Sequence, residues 1–191
     1  MKISTIIGLA GVARSGKDTF CAALRSYLEY EHNLKSERIA FADCIKSDLD
    51  KLLLEKTGIS AFTKNTKDKE FIRPILVCYG TQIMRKINPN YWIDKVEKKI
   101  ENNIENNIIS IITDIRFENE LDWLYRKKAL TIFIERAGIN PANQDELNNY
   151  LKLKEQCDEH FSWPTFLESA QDQCNSAVIK KANGIFKRET R

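Results

Sequence analysis

The sequence predicts an α/β fold in three layers, a doubly wound parallel sheet, on three observations. Short apolar runs alternate with amphipathic helical stretches along 191 residues. The run from Ile108 to Ile112 is nearly unbroken aliphatic, as a parallel strand covered on both faces requires. Charged clusters follow the ends of the apolar runs, which is where such sheets place ligands.

Taken in order, the first strand is Ile3–Leu9, and the helix starting near Gly16 repeats Phe20, Ala23, Leu24, Tyr27 and Leu28 on one face. Glu37–Phe41 reads as the second strand, followed by Asp43 and Lys46 and then a helical period in Leu49, Leu52 and Leu53. Residues 57–68 are polar and read as a loop. Helical spacing returns in Phe71, Ile72, Ile75, Leu76, Tyr79 and Ile83, although Pro74 opposes a helix interior by about 3 kcal/mol. Asn88-Pro89-Asn90 is a turn, and Trp92, Val96, Ile100 and Ile104 mark an amphipathic helix. The central strand ends at Thr113-Asp114-Ile115-Arg116, and Phe117, Leu121 and Leu124 begin the next helix. Leu130–Ile134 is a further strand, residues 136–160 are polar, a helical stretch surrounds Phe166, and a last strand falls near Ala177–Ile179. Without repeats or a low-complexity linker, the chain reads as one domain over 1–191.

Composition narrows the class. Thirty basic against 27 acidic side chains give a net charge of +3, too small and dispersed for a surface that coats nucleic acid. The first apolar run is too short for a signal peptide or a membrane span, so the expectation is a soluble, cytoplasmic protein. Five cysteines without a C-x-x-C pair read as reduced, mostly buried thiols rather than a disulfide framework or zinc site.

The most informative motif is Gly11-x4-Gly16-Lys17, in the strand–loop–helix context that gives it meaning. Glycines let successive N–H groups turn toward phosphate oxygens, lysine adds a mobile charge, and the helix start adds its dipole. Arg14 either pairs with a phosphate or points to solvent. Asp18 stands where Ser or Thr is common. Asp114 holds magnesium through water, positions a phosphoryl acceptor, or caps the next helix. Arg116 joins it at the same edge, suited to charge that develops in phosphoryl transfer. Lys69 and Arg73, four apart, either clamp an acceptor phosphate or form a solvated basic face, with Arg85 nearby. Arg136 opens the polar stretch and reads as a lid arginine or as an ordinary surface charge. Trp92 reads as core before base platform, Glu120 suits a helix N-terminus, His32 looks structural, and His160 adds little.

Four segments together resemble the phage deoxynucleoside monophosphate kinase family of P-loop phosphotransferases. They are Gly11–Thr19, Phe41–Lys46, Tyr79–Arg85 followed by Trp92, and Thr113–Glu120. The resemblance implies a P-loop kinase fold with an acceptor-binding insertion at about 57–90 and a lid at about 136–160. It implies transfer of the γ-phosphoryl of ATP to a deoxynucleoside monophosphate, with Mg2+ and without nucleic-acid or membrane partners. Gly11, Ala13, Arg14, Ser15, Gly16, Lys17, Asp18 and Thr19 would hold ATP. Asp43, Lys46, Lys69, Arg73, Arg85, Trp92, Arg116 and Glu120 would line the acceptor side, and Lys17, Asp114, Arg116 and Arg136 would carry catalysis. Asp18 or Asp114 would contact the metal, with Thr19 a further option. In a virus the setting would be the host cytoplasm.

Phosphomevalonate kinase, with a similar loop and Asp-x-Arg strand end, is the rival enzyme. A P-loop switch without small-molecule turnover is the rival of another class, although no Asn-Lys-x-Asp base-reading motif is present. The base accepted, and whether the chain is a monomer or homodimer, stay open.

Overall fold

Strands and helices alternate as the apolar pattern requires. The computed structural model describes residues 4–141, 144–164 and 171–188. In chain order the elements are β1 (Ile6–Ala10), α1 (Lys17–His32), β2 (Ser36–Ile39), α2 (Phe41–Thr57) and α3 (Thr66–Val77). A π-helical segment, Cys78–Met84, leads into α4 (Arg85–Ile87) and α5 (Tyr91–Glu105). Then come β3 (Ile109–Ile115), α6 (Glu118–Arg126), β4 (Leu130–Glu135), α7 (Gln144–Gln156), β5 (Glu159–Ser162) and α8 (Gln171–Arg188). The five strands form one sheet in the order β2-β3-β1-β4-β5, and every pairing is parallel.

By contact density the chain divides into two compact units, Ala40–Lys98 and the remainder. The remainder holds the sheet. Ile7 and Leu9 of β1 join Ile111, Ile132 and Phe161 on one sheet face, which α1 covers with Phe20, Leu24 and Leu28 and α8 with Val178 and Phe186. Truncating a buried phenylalanine such as Phe20 to alanine costs about 3–5 kcal/mol. On the opposite face Gly8 lies against Leu124 of α6, and Phe133 meets Tyr150 of α7 edge-on at 5.2 Å. Alternation along β1 thus serves two helical layers, which is why its burial is unbroken.

The Ala40–Lys98 unit has a small core of its own: Leu49 and Leu53 of α2, Ala61, and Ile72 of α3. Its turn is tied by Asp50, whose Oδ1 accepts from Ser60 Oγ at 2.7 Å and Ala61 N at 2.8 Å. Asn65 caps α3 by accepting from Lys67 N and Asp68 N. Pro74 falls in the last turn of α3, and the wider π-helical spacing follows four residues later.

Three sequence expectations need correction. The last strand is Glu159–Ser162, and Ala177–Ile179 lies inside α8. Val178, Ala182 and Ile185 are buried at helical spacing, a longer period than a three-residue apolar window shows. Phe41 starts α2 instead of ending β2. Only Cys21 and Cys157 of the five free cysteines are buried; Cys44, Cys78 and Cys174 are half-buried. The helical stretch expected around Phe166 lies outside the described residues, as does Ile3. Among the described residues no helix is long and apolar enough to cross a membrane.

Candidate active site

The loop between β1 and α1 is shaped by residues that tolerate positive φ. Gly11 lies at 135° and Gly16 at 90°, conformations that cost little only for glycine, and between them Arg14 takes a left-handed 64°. Space is limited as well as torsion. A Cβ on Gly11 would collide with the carbonyl oxygen of Ile134, and one on Gly16 with the indole of Trp163. Lys17 is buried and folds back into the loop, donating to Val12 O at 2.6 Å, Gly11 O at 2.8 Å and Ser15 Oγ at 3.3 Å. Behind it α1 supplies sixteen residues of aligned peptide dipole. Asp18 and Thr19 are exposed, and Arg38 Nε of β2 donates to Asp18 Oδ1 at 3.3 Å.

Two neighbouring strands end beside this loop. Ala10 pairs with Ile115 of β3 and with Phe133 of β4. Asp114 is half-buried in β3, and Arg116 is exposed just beyond it. Glu120 takes a supporting place instead of the substrate contact expected for it. It is fully buried, and its Oε2 accepts from Arg116 N at 2.8 Å and Phe117 N at 3.1 Å. The helix cap and the backbone of Arg116 are therefore fixed by one carboxylate.

Beyond β4, Arg136 and Ala137 line a cavity of about 270 Å³ together with Gly16 and Thr19. Trp163, Pro164 and Cys174 complete its wall. Trp163 is held by its backbone N–H, which donates to Glu135 O at 3.0 Å, and by edge-on contact of its ring with Phe161 at 4.9 Å. An apolar ring beside a phosphate-type loop, with an arginine at the rim, fits a flat polar heterocycle joined to phosphates.

Within the Ala40–Lys98 unit, Lys46 Nζ lies 3.4 Å from Asp43 Oδ1 and 5.6 Å from the ring centre of Phe62. Lys69 and Arg73 are both exposed on α3, one turn apart, and Arg85 is half-buried at the start of α4. Trp92 is fully buried, with Nε1 donating to Gly80 O at 2.9 Å. It anchors the π-helical segment and offers no face for a base. Gly80 in turn packs on Ile45, where an added Cβ would come within 2.6 Å.

The sequence profile of the family described as deoxynucleotide monophosphate kinase matches residues 52–156, over half of the chain. The chain belongs to the deoxynucleotide monophosphate kinase family. No curated protein sequence matches it. Among solved structures, Kti12 of Chaetomium thermophilum in complex with ADP-AlF3 aligns over 93% of this chain and 96% of its own, at 14% identity and a TM-score of 0.40.

The stretch matched to the kinase family contains Lys69, Arg73, Arg85, Asp114, Arg116 and Arg136. The Gly11–Lys17 loop precedes that stretch, and Trp163 follows it. Trp163, Pro164 and Cys174 are cavity residues that sequence reasoning did not single out. The available signal was Glu159-His160-Phe161-Ser162, an alternating run with buried Phe161 whose end, like the other strand ends, leads into the site.

Electrostatics separate the cysteines. Burial pushes the Cys21 thiol up to about 11 and the Cys157 thiol up to about 12, so neither is a thiolate near neutrality. Hydrogen bonds from Lys154 and Ser162 hold the Glu135 carboxyl below its ordinary value.

Proposed function

We propose that the chain transfers the γ-phosphoryl group of ATP to a deoxynucleoside monophosphate, giving the diphosphate for DNA precursor synthesis. One observation carries the reading within this family: Gly16, Thr19 and Arg136 line a single cavity, and Lys17, next to Gly16, holds its ammonium on the carbonyls of the loop that leads into it. The loop amides and Lys17 would hold the β- and γ-phosphates, with Lys17 exchanging the Gly11 and Val12 carbonyls for phosphate oxygens. The base of ATP would lie in the cavity, against Trp163 and Arg136. Arg116 would meet the charge that spreads over the transferred group.

The step is an in-line displacement. An oxygen of the acceptor's phosphate forms a bond to the γ-phosphorus as the bond to the β,γ-bridging oxygen breaks, and ADP leaves. Positioning and neutralisation suffice, so no covalent enzyme intermediate is required. Mg2+, which prefers a few hard oxygens and keeps its waters, would neutralise phosphate charge. Asp18, Thr19 and Asp114 supply oxygens of that kind at the loop and the β3 edge. Asp43, Lys46, Lys69, Arg73 and Arg85 are the acceptor-side residues of this reading.

A coupled ADP-release assay with ATP and each of dGMP, dTMP, dCMP and dAMP tests it. Turnover dependent on at least one acceptor is expected. Turnover with phosphomevalonate alone, or ATP hydrolysis indifferent to every acceptor, would refute it.

A further inference from the structure

Three elements converge on one carboxylate that the proposed chemistry does not use. Glu135, the last residue of β4, pairs in register with Ser162, the last residue of β5. Its Oε1 accepts from Ser162 Oγ at 2.6 Å. Its Oε2 accepts from Lys154 Nζ at 2.7 Å and from Tyr150 OH at 3.3 Å, both on α7. Its backbone carbonyl accepts from Trp163 N at 3.0 Å.

The neighbours of Glu135 give this clamp its meaning. Ile134 presents the carbonyl that abuts Gly11, and Arg136 lines the cavity. Trp163, one residue past Ser162, lines the same cavity. β5 has four residues and, among the described residues, a single strand neighbour, so its end would fray without side-chain ties. Two of the ties are short, the one to Lys154 is an ion pair, and the Glu135 side chain is only 30% exposed.

We propose that Glu135 is a positioning residue for the donor nucleotide. Its carboxylate binds α7 and the end of β5 to the end of β4, and so fixes Arg136 and Trp163 as walls of the base pocket. The inference rests on the proposed reading of that cavity as the donor site. It assigns Glu135 no contact with ATP. Its effect should therefore be selective: a ligand that reaches the base pocket feels its loss, while one held by the phosphate loop alone does not.

The experiment measures calorimetric binding of ADP and of tripolyphosphate to the full chain and to Glu135→Gln. The glutamine keeps the size but puts an amide donor among groups that donate. Losing part of such a clamp should weaken ADP about fivefold, with tripolyphosphate unchanged within about twofold. Ser162→Ala, which removes one tie only, should show the same selectivity at about threefold and serves if Glu135→Gln does not fold. Unchanged ADP affinity in the variants, or equal loss of both ligands, overturns the proposal. A wild-type chain that binds tripolyphosphate but not ADP removes the donor-site reading itself, and the inference falls with it.

Discussion

The Lys17 ammonium donates to the Val12 carbonyl at 2.6 Å, so the cation of the loop is turned onto the loop's own backbone. Phosphate binding at this site, as proposed, would be an exchange of acceptors for a buried charge, not the capture of a side chain from solvent. Lys17→Ala removes the charge that would follow the phosphates. We expect kcat for acceptor-dependent ADP release to fall at least about 100-fold, as loss of a transition-state charge contact does.

Arg116 offers a cleaner test of chemistry, because its side chain is exposed while its backbone is pinned by Glu120. Arg116→Ala should leave the melting temperature nearly unchanged and lower kcat at least about 100-fold. Near-normal turnover would reduce Arg116 to a surface residue.

Gly11→Ala joins two penalties, a φ of 135° and collision with the Ile134 carbonyl. Together they should cost about 1–3 kcal/mol or more in denaturant unfolding. Gly58→Ala, at φ 70° with open space around it, carries the torsional penalty alone and should cost less.

Thiol labelling reads the cavity directly. At pH 8, Cys21 and Cys157 should resist a disulfide reagent in the folded protein, since burial raises both thiols far above that pH. Cys174 should react, and saturating ADP should slow it because Cys174 lines the proposed base pocket. Reaction indifferent to ADP would argue against that placement.

The Glu135–Lys154 pair sets a pH window for stability. Glu135 is held below its ordinary value of 4.5, so its contribution is full above that value and is lost as pH falls through the lowered one. Lys154 is raised above 10.5 by the same hydrogen bond, so its contribution fades only as pH rises through that higher value. The melting-temperature gap between wild type and Glu135→Gln should therefore be flat from about pH 6 to 9 and shrink in acid.

Much of the site was legible because its signals are local. The Gly11–Lys17 frame, the aliphatic run of β3 and the charged pair behind it each declare themselves within a few residues. Glu120 was legible as a helix start, yet its burial under two backbone N–H groups shows only once β3 and α6 are packed. Trp92 is buried, as its core reading expects, whereas Trp163, which no sequence reading singled out, lines the cavity. One indole closes on Gly80 and the other on Gly16, and sequence spacing does not distinguish a ring facing a core from one facing a cavity. The strand assigned to Ala177–Ile179 failed because three apolar residues fit either period, and the burial of Val178, Ala182 and Ile185 against α1 decided for a helix.

The placement of β1 in the sheet also bears on how the chain is made. Its partners are residues 109–115 and 130–135, so β1 is synthesised well before either of its neighbours. Until they emerge, Ile6, Ile7 and Leu9 form an apolar ribbon with both edges open, the kind of intermediate that aggregates. Nascent chains arrested before Ile109 should accordingly depend on chaperones, and the loop after β1 cannot be seated until both neighbouring strands are in place.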